Sequence, residues 1–264
     1  MPELNLSRQS RLVPKDELTN WNFEIFGVGS VGSHVVNCLA KTGFKNITVY
    51  DMDKVDEENI GPQAYMFKHM GMPKVEAIKD LILEATGHEI IAKDGEIKDD
   101  FVLPVTANTM YLCFFDSFEA RNLIFNKALE MPVGVFVDGR IGQFNQQYYL
   151  IDISKEDNVA LYKSHLPKSG GSELICGEKA SCMINYELAG RIVSNIVNYI
   201  SGKTYDKLFI GNVEDNSLNM HIRQQAETKV EAPSDFNPED ILVDPEEDTG
   251  EYEDEDDDTD NDDS

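Results

Sequence analysis

Apolar residues along the chain switch between two spacings, and each switch marks an element. Phe23-Glu24-Ile25-Phe26 is a short apolar run that breaks at Gly27-Val28-Gly29-Ser30-Val31-Gly32. Beyond the glycines, Val31, Val35 and Leu39 fall four apart, on one face of a helix that Gly43 can end. Ile47 to Tyr50 reads as a second strand, and residues 74–85 as a second helix with Val75, Ile78, Ile82 and Ala85 on one face. Tyr111 to Phe115 is continuously apolar, the pattern of a strand covered on both faces, with Asp116 at its carboxyl end. A helix over 118–129 and a buried strand over 133–137 continue the alternation.

The pattern then changes. Residues 143–153 alternate as an antiparallel strand does, and 154–181 is a polar stretch with Pro167 and Gly170-Gly171 that reads as a surface crossover. Ile184, Leu188, Ile192, Ile196 and Ile200 repeat at four-residue spacing, which predicts one long core-facing helix. Residues 208–212 and 218–222 can pair as a hairpin through Asp215-Asn216. The expected fold class is α/β: a Rossmann-like, doubly wound, mainly parallel sheet with antiparallel C-terminal strands and a disordered acidic tail.

Charge separates that tail from the rest. The 264 residues carry a formal charge of −26, and residues 231–264 hold 18 acidic side chains with no Lys or Arg; without those 18 charges the remainder carries −8. A segment with so little apolar content cannot offset its ordering entropy by burial, so disorder is expected there. We expect one domain over 1–230 and the tail over 231–264. Cys38, Cys113, Cys176 and Cys182 form no CxxC pair, and Cys38 and Cys113 lie in apolar stretches where a reduced thiol is the ordinary outcome, which favours a cytoplasmic location. No apolar run reaches the ~18 residues of a membrane span, and no signal core stands at the start. Neither a membrane nor a nucleic-acid partner is expected.

Candidate chemistry begins at the glycines. Gly27, Gly29 and Gly32, after a strand and before a helix, let the backbone turn tightly and approach a phosphate at the helix amino end. Asp51, nineteen positions beyond Gly32, can accept hydrogen bonds from a ribose, which serves NAD and ATP equally. Read alone, these residues leave an NAD-dependent oxidoreductase open.

Further residues have no place in a dinucleotide fingerprint. Asp51-Met52-Asp53-Lys54-Val55 is followed by Asn59 and Gln63, then by Gly71-Met72-Pro73-Lys74-Val75-Glu76-Ala77, and Asp116 precedes Arg121 by five positions. This order resembles the nucleotide site of the ThiF/MoeB/ubiquitin-activating enzyme superfamily, from about Arg8 to Gln224. The resemblance implies MgATP as cofactor, with Asp53, Asn59 and Gln63 in the nucleotide site, Lys74 on the β- and γ-phosphates, and Asp116 holding Mg²⁺. It implies transfer of AMP to the C-terminal carboxylate of a small ubiquitin-like protein or a peptide, with release of pyrophosphate. Many members carry a zinc on two CxxC pairs; lacking them, this chain is expected to hold no zinc.

One position departs from the pattern. Pro62 stands where the family has an arginine, so Arg140, Arg8 or Arg11 is expected to supply the missing charge, the latter two across a homodimer interface. In several members a crossover cysteine attacks the acyl-adenylate; Cys176 matches it by distance to the long helix, with Cys182 as the rival. Pro62 also keeps open a non-catalytic scaffold subunit.

Overall fold

The computed structural model describes residues 4–104, 108–131, 134–142, 144–166 and 181–225. The apolar run predicted as the first strand is β1 (Asn22–Phe26), with every residue after Asn22 buried. The stripe beyond the glycines forms α2 (Ser30–Thr42), preceded by a single-turn α1 (Glu17–Asn20), and Gly43 ends it in the left-handed conformation at φ +107°. Chain order then gives β2 (Asn46–Asp51), α3 (Lys74–Thr86), β3 (Ile91–Asp94), β4 (Thr109–Cys113), α4 (Phe118–Leu129), β5 (Val135–Gly142) and β6 (Asn145–Asp152). It closes with α5 (Glu156–Ser164), α6 (Cys182–Ile200), β7 (Thr204–Asn212) and β8 (Ser217–Gln225).

The eight strands form one sheet in the order β3-β2-β1-β4-β5-β6-β7-β8. The first five in that order pair in parallel, and β6, β7 and β8 join antiparallel, as the change of pattern after residue 142 predicts. Strand order reverses between β1 and β4, and such a reversal opens a crevice at the carboxyl ends of the two strands. Two apolar layers sandwich the sheet. One joins α2, α3 and α6, including Val35, Ile78, Leu188 and Ile192. The other joins α4, α5 and the segment 97–103, including Phe101, Ile124, Phe125 and Tyr162.

The stretch expected to be an irregular crossover carries α5 within its first half, while residues 167–180 lie outside the described residues. The acidic tail lies outside them as well. Among the described residues, no helix is long and apolar enough to cross a membrane.

Helix α6 seats Leu188, Ile192 and Ile196 on the sheet with almost no exposure. Leu188→Ala is expected to destabilise the fold by about 2–5 kcal/mol, the range for truncating a fully buried leucine. Urea unfolding followed by circular dichroism reads this as a lowered midpoint with an unchanged slope.

Candidate functional site

The site starts at the glycine turn between β1 and α2. Gly27 sits at φ +87°, which an L side chain rarely adopts, and its N–H donates to the Tyr50 carbonyl at 2.8 Å. A Cβ on Gly32 would stand 2.0 Å from the Gly27 carbonyl oxygen, so α2 can begin this close to the turn only with glycine there. A Cβ on Gly29 would meet nothing within 4 Å; that side of the turn faces open space.

Two side chains fasten the turn from behind. Asp51, buried at the end of β2, accepts the Val28 N–H on Oδ2 at 2.8 Å and the Asp53 N–H on Oδ1 at 2.9 Å. Burial pushes its carboxyl above the usual range, opposed by those two N–H groups. The Tyr65 hydroxyl donates to the Val28 carbonyl at 2.7 Å and lies 3.3 Å from that of Lys74. Tyr65 thereby ties the turn to the first residue of α3, an arrangement the sequence pattern did not single out.

In front of the turn lies a cavity of about 880 Å³. Gly27, Gly29, Asp51, Asp53, Asn59, Gln63, Lys74 and Asp116 all line it, so the order of residues that carried the resemblance converges in space. The Lys74 ammonium, on a buried residue, reaches the Asp53 carboxylate at 2.8 Å, and the Lys74 N–H donates to the Asp53 carbonyl. Asn59 Oδ1 accepts the Asp56 N–H at 3.0 Å, closing a short 3₁₀ turn over Glu57–Asn59. Gln63 carries a buried side-chain oxygen without a partner among the described residues. Asp116 is exposed, and the amino end of α4 is capped by Ser117, whose Oγ accepts the Ala120 N–H. No hydrogen bond or ion pair among the described residues engages the Asp116 carboxylate.

Pro62 also lines the cavity. Its carbonyl accepts Asn185 Nδ2 of α6 at 2.7 Å and lies 3.0 Å from His34 Nε2. Because a carbonyl only accepts, Nε2 carries the imidazole proton, and burial holds His34 below its ordinary pKa and so favours this neutral form. Two long-range bonds therefore fix the loop at the position where the expected arginine is missing.

The cation at the cavity wall is not the one expected. Arg140 does not line the cavity. Side chains alternate along a strand, and Gly139 takes the cavity side of β5, where a Cβ would touch Phe114 and Ile192. Arg140 is thereby turned to the opposite face, where its Nε donates to Asp138 at 2.8 Å and its guanidinium lies 5.2 Å from the Tyr149 ring centre. Arg121, on α4, lines the cavity instead. Arg8 and Arg11 are exposed and lie outside the cavity of their own subunit. Cys176 falls outside the described residues, and Cys182 is exposed at the first position of α6.

The geometry offers an anion cradle at the amino end of a 13-residue helix, an ammonium held in place by a carboxylate, and an uncommitted carboxylate lining the same cavity. No group of three or more His, Cys, Asp or Glu side chains among the described residues is arranged to hold a metal ion, so Asp116 offers a single carboxylate.

Such a domain, with a cavity where strand order reverses and a glycine turn at its rim, belongs to the doubly wound α/β class. Residues 6–238 match the model of the ThiF family, and the chain belongs to that family. Over 139 residues it is 25% identical to SUMO-activating enzyme subunit 2 of Dictyostelium discoideum, covering 50% of this chain and 20% of the relative. Over 79 residues it is 34% identical to tRNA threonylcarbamoyladenosine dehydratase of Bacillus subtilis, covering 29% of this chain and 31% of the relative. The chain thus spans about a fifth to a third of the length of these curated relatives. A crystal structure of E. coli MccB with ATP shares the fold, with a TM-score of 0.61 at 15% identity over 80% of this chain and 66% of that one.

Tyr65→Phe removes the hydroxyl between the turn and α3 and is expected to cost about 1–3 kcal/mol, the penalty of leaving a buried acceptor unpaired. Thermal unfolding followed by circular dichroism tests this, and an unchanged melting temperature would show that the hydroxyl fastens nothing.

Proposed function

We propose that the chain is a MgATP-dependent adenylyltransferase acting on the C-terminal carboxylate of a small ubiquitin-like protein or a peptide. The observation that carries this reading is the meeting of Gly29, Asp53, Asn59, Lys74 and Asp116 around one cavity at the strand-order reversal. Membership of the ThiF family and the activating-enzyme name of one relative support it.

In the reaction, a carboxylate oxygen of the acceptor attacks the α-phosphorus of ATP. The bond to the bridging α–β oxygen breaks, its electron pair leaves with pyrophosphate, and AMP remains joined to the acceptor as a mixed anhydride. No proton needs to be removed from the nucleophile, so positioning and charge carry the catalysis. The glycine turn and the α2 amino end hold phosphate oxygens through backbone N–H groups. Lys74, positioned by Asp53, faces the charge that builds on the leaving pyrophosphate. Asn59 and Gln63 offer polar contacts beside it. Asp116 would hold a magnesium ion that arrives on the phosphates, since Mg²⁺ commonly takes one or two protein carboxylates and completes its shell with phosphate and water. Bound there, the ion neutralises phosphate charge.

The same reading places the protein in a reducing cytoplasm, in keeping with the free thiols of Cys38, Cys113 and Cys182. It pairs two copies in a homodimer, with Arg8 or Arg11 of each reaching toward the neighbouring cavity. Thiol transfer from the adenylate, where the acceptor undergoes it, falls to Cys176 or Cys182. Pro62 favours a second reading, a subunit that binds nucleotide without transferring AMP.

ATP–pyrophosphate exchange in the presence of the acceptor separates the two readings. Lys74→Ala and Asp116→Ala are each expected to lower exchange by at least about a hundredfold, the scale of removing one preorganised charge from a transition state, with the melting temperature retained. Full exchange in either folded variant contradicts the assignment; nucleotide binding without any wild-type exchange selects the second reading.

A further inference from the structure

Behind the cavity, on the α4–α5 face of the sheet, lies a charge cluster that the proposed reaction does not use. Asp138 is fully buried on β5 and is shared by two guanidinium groups. Its Oδ1 takes Nη1 of Arg121, and its Oδ2 takes Nε of Arg140 at 2.8 Å, Nη2 of Arg140 at 2.6 Å and the Tyr162 hydroxyl at 2.7 Å. Burial alone would push this carboxyl up; Arg121 and Arg140 outweigh it and hold it below the usual range, so it is charged.

The charges do not balance. One buried and one partly buried cation share one carboxylate, and no other acid among the described residues pairs with either guanidinium. Arg140 is enclosed by Phe118, Tyr149 and Tyr162, whose ring centres lie 5.2–5.5 Å from its central carbon, and it lies outside the cavity. Arg121 reaches the cavity wall. Its Nη1 is committed to Asp138 and to the Gly139 carbonyl at 3.2 Å, while Nε and Nη2 have no partner among the described residues. The surplus positive charge of the cluster is therefore presented to the cavity through Arg121.

That charge is scarce where it appears. Among the described residues, Asp51, Asp53, Glu58, Glu96 and Asp116 line the cavity, against Lys74 and Arg121 as cations, and Lys74 is already paired with Asp53. Contacts also place Arg121 near the anion cradle. Gly139, whose carbonyl it binds, packs on the Phe114 ring, and Cβ atoms on Gly27 or Gly32 would stand 3.0–3.2 Å from Phe114 atoms.

We propose that Arg121 binds a phosphate of the nucleotide, and that Asp138 and Arg140 are positioning residues that fix its orientation and keep it in positive excess. The inference rests on the reading that the cavity takes ATP. It has an uncommon corollary: removing Arg140, a cation outside the cavity, should weaken phosphate binding, because Asp138 then neutralises Arg121 completely. A role confined to stability would lower the affinity for every ligand of the cavity alike.

Calorimetric titration of the full chain with MgATP and with adenosine tests this directly, through the ratio of the two affinities. Arg121→Gln is expected to lower the MgATP affinity by roughly 10- to 100-fold, the range of a lost charge-assisted hydrogen bond, and to leave adenosine within about twofold, below the ~0.5 kcal/mol scale of a neutral substitution. Arg140→Met, which keeps the packing volume, is expected to cut the MgATP-to-adenosine ratio at least about threefold, a modest Coulomb effect at protein-surface screening; Arg140→Lys keeps the charge and should largely restore the ratio. An unchanged ratio in Arg121→Gln overturns the phosphate contact, and equal losses for both ligands in Arg140→Met overturn the charge surplus. A wild type that binds adenosine and MgATP equally overturns the inference but not the nucleotide reading, whereas a wild type that binds neither overturns both.

Discussion

The close approach of the glycine turn to the start of α2 is the constraint on which the site depends. With the Gly27 carbonyl oxygen 2.0 Å from where a Gly32 Cβ would stand, the turn can take one path, and Asp51 and Tyr65 hold it there by the Val28 N–H and carbonyl. Those two residues also set the positions of other parts. Asp51 accepts the N–H of Asp53, and Asp53 holds the Lys74 ammonium. The carboxyl end of β2, the turn and the amino end of α3 are thus fixed relative to one another by a short series of hydrogen bonds. The carboxyl end of β4 joins them because Phe114 fills the space beside Gly27, Gly32 and Gly139.

The proposed reading also has to meet an electrostatic constraint. A cavity lined, among the described residues, by five acids and two bases repels a polyphosphate unless positive charge is concentrated or imported. Lys74 is held close to Asp53, which fixes its position and lowers its net field. In the proposed reading, Arg121 and Arg140 on the buried Asp138 concentrate charge from the other face of the sheet. Burying charge is costly, and the cost is offset only when each group is hydrogen-bonded, as the three donors on Asp138 Oδ2 and the aromatic enclosure of Arg140 accomplish. Asp116, uncommitted among the described residues, lines the same cavity.

Much of this was legible in the sequence where periodicity and burial coincide. The strands β1, β2 and β4, the helices α2, α3, α4 and α6, and the β7–β8 hairpin follow from apolar spacing. Strand β3 escaped because none of its four residues is buried, so it carries no alternation to read. Helix α5 escaped because its buried face consists of Asn158 and Tyr162 rather than an aliphatic stripe. In the site, Asp51, Asp53, Asn59, Gln63, Lys74 and Asp116 were legible by their fixed offsets. Tyr65 was not, because its partner Val28 is 37 positions away and only the fold brings them together. Arg140 was misassigned for a simple reason: in Asp138-Gly139-Arg140 the strand's two-residue period gives the cavity to the glycine. The alternation itself was the available signal, and it pointed away from Arg140.

The central claim is that the cavity takes MgATP, although Asp51 and the glycines alone serve NAD equally. Competitive calorimetry of the full chain with MgATP and NAD⁺ tests it most directly. The account predicts one MgATP bound per chain, with NAD⁺ failing to displace it at concentrations that saturate ATP. Tight NAD⁺ binding that excludes ATP would contradict it.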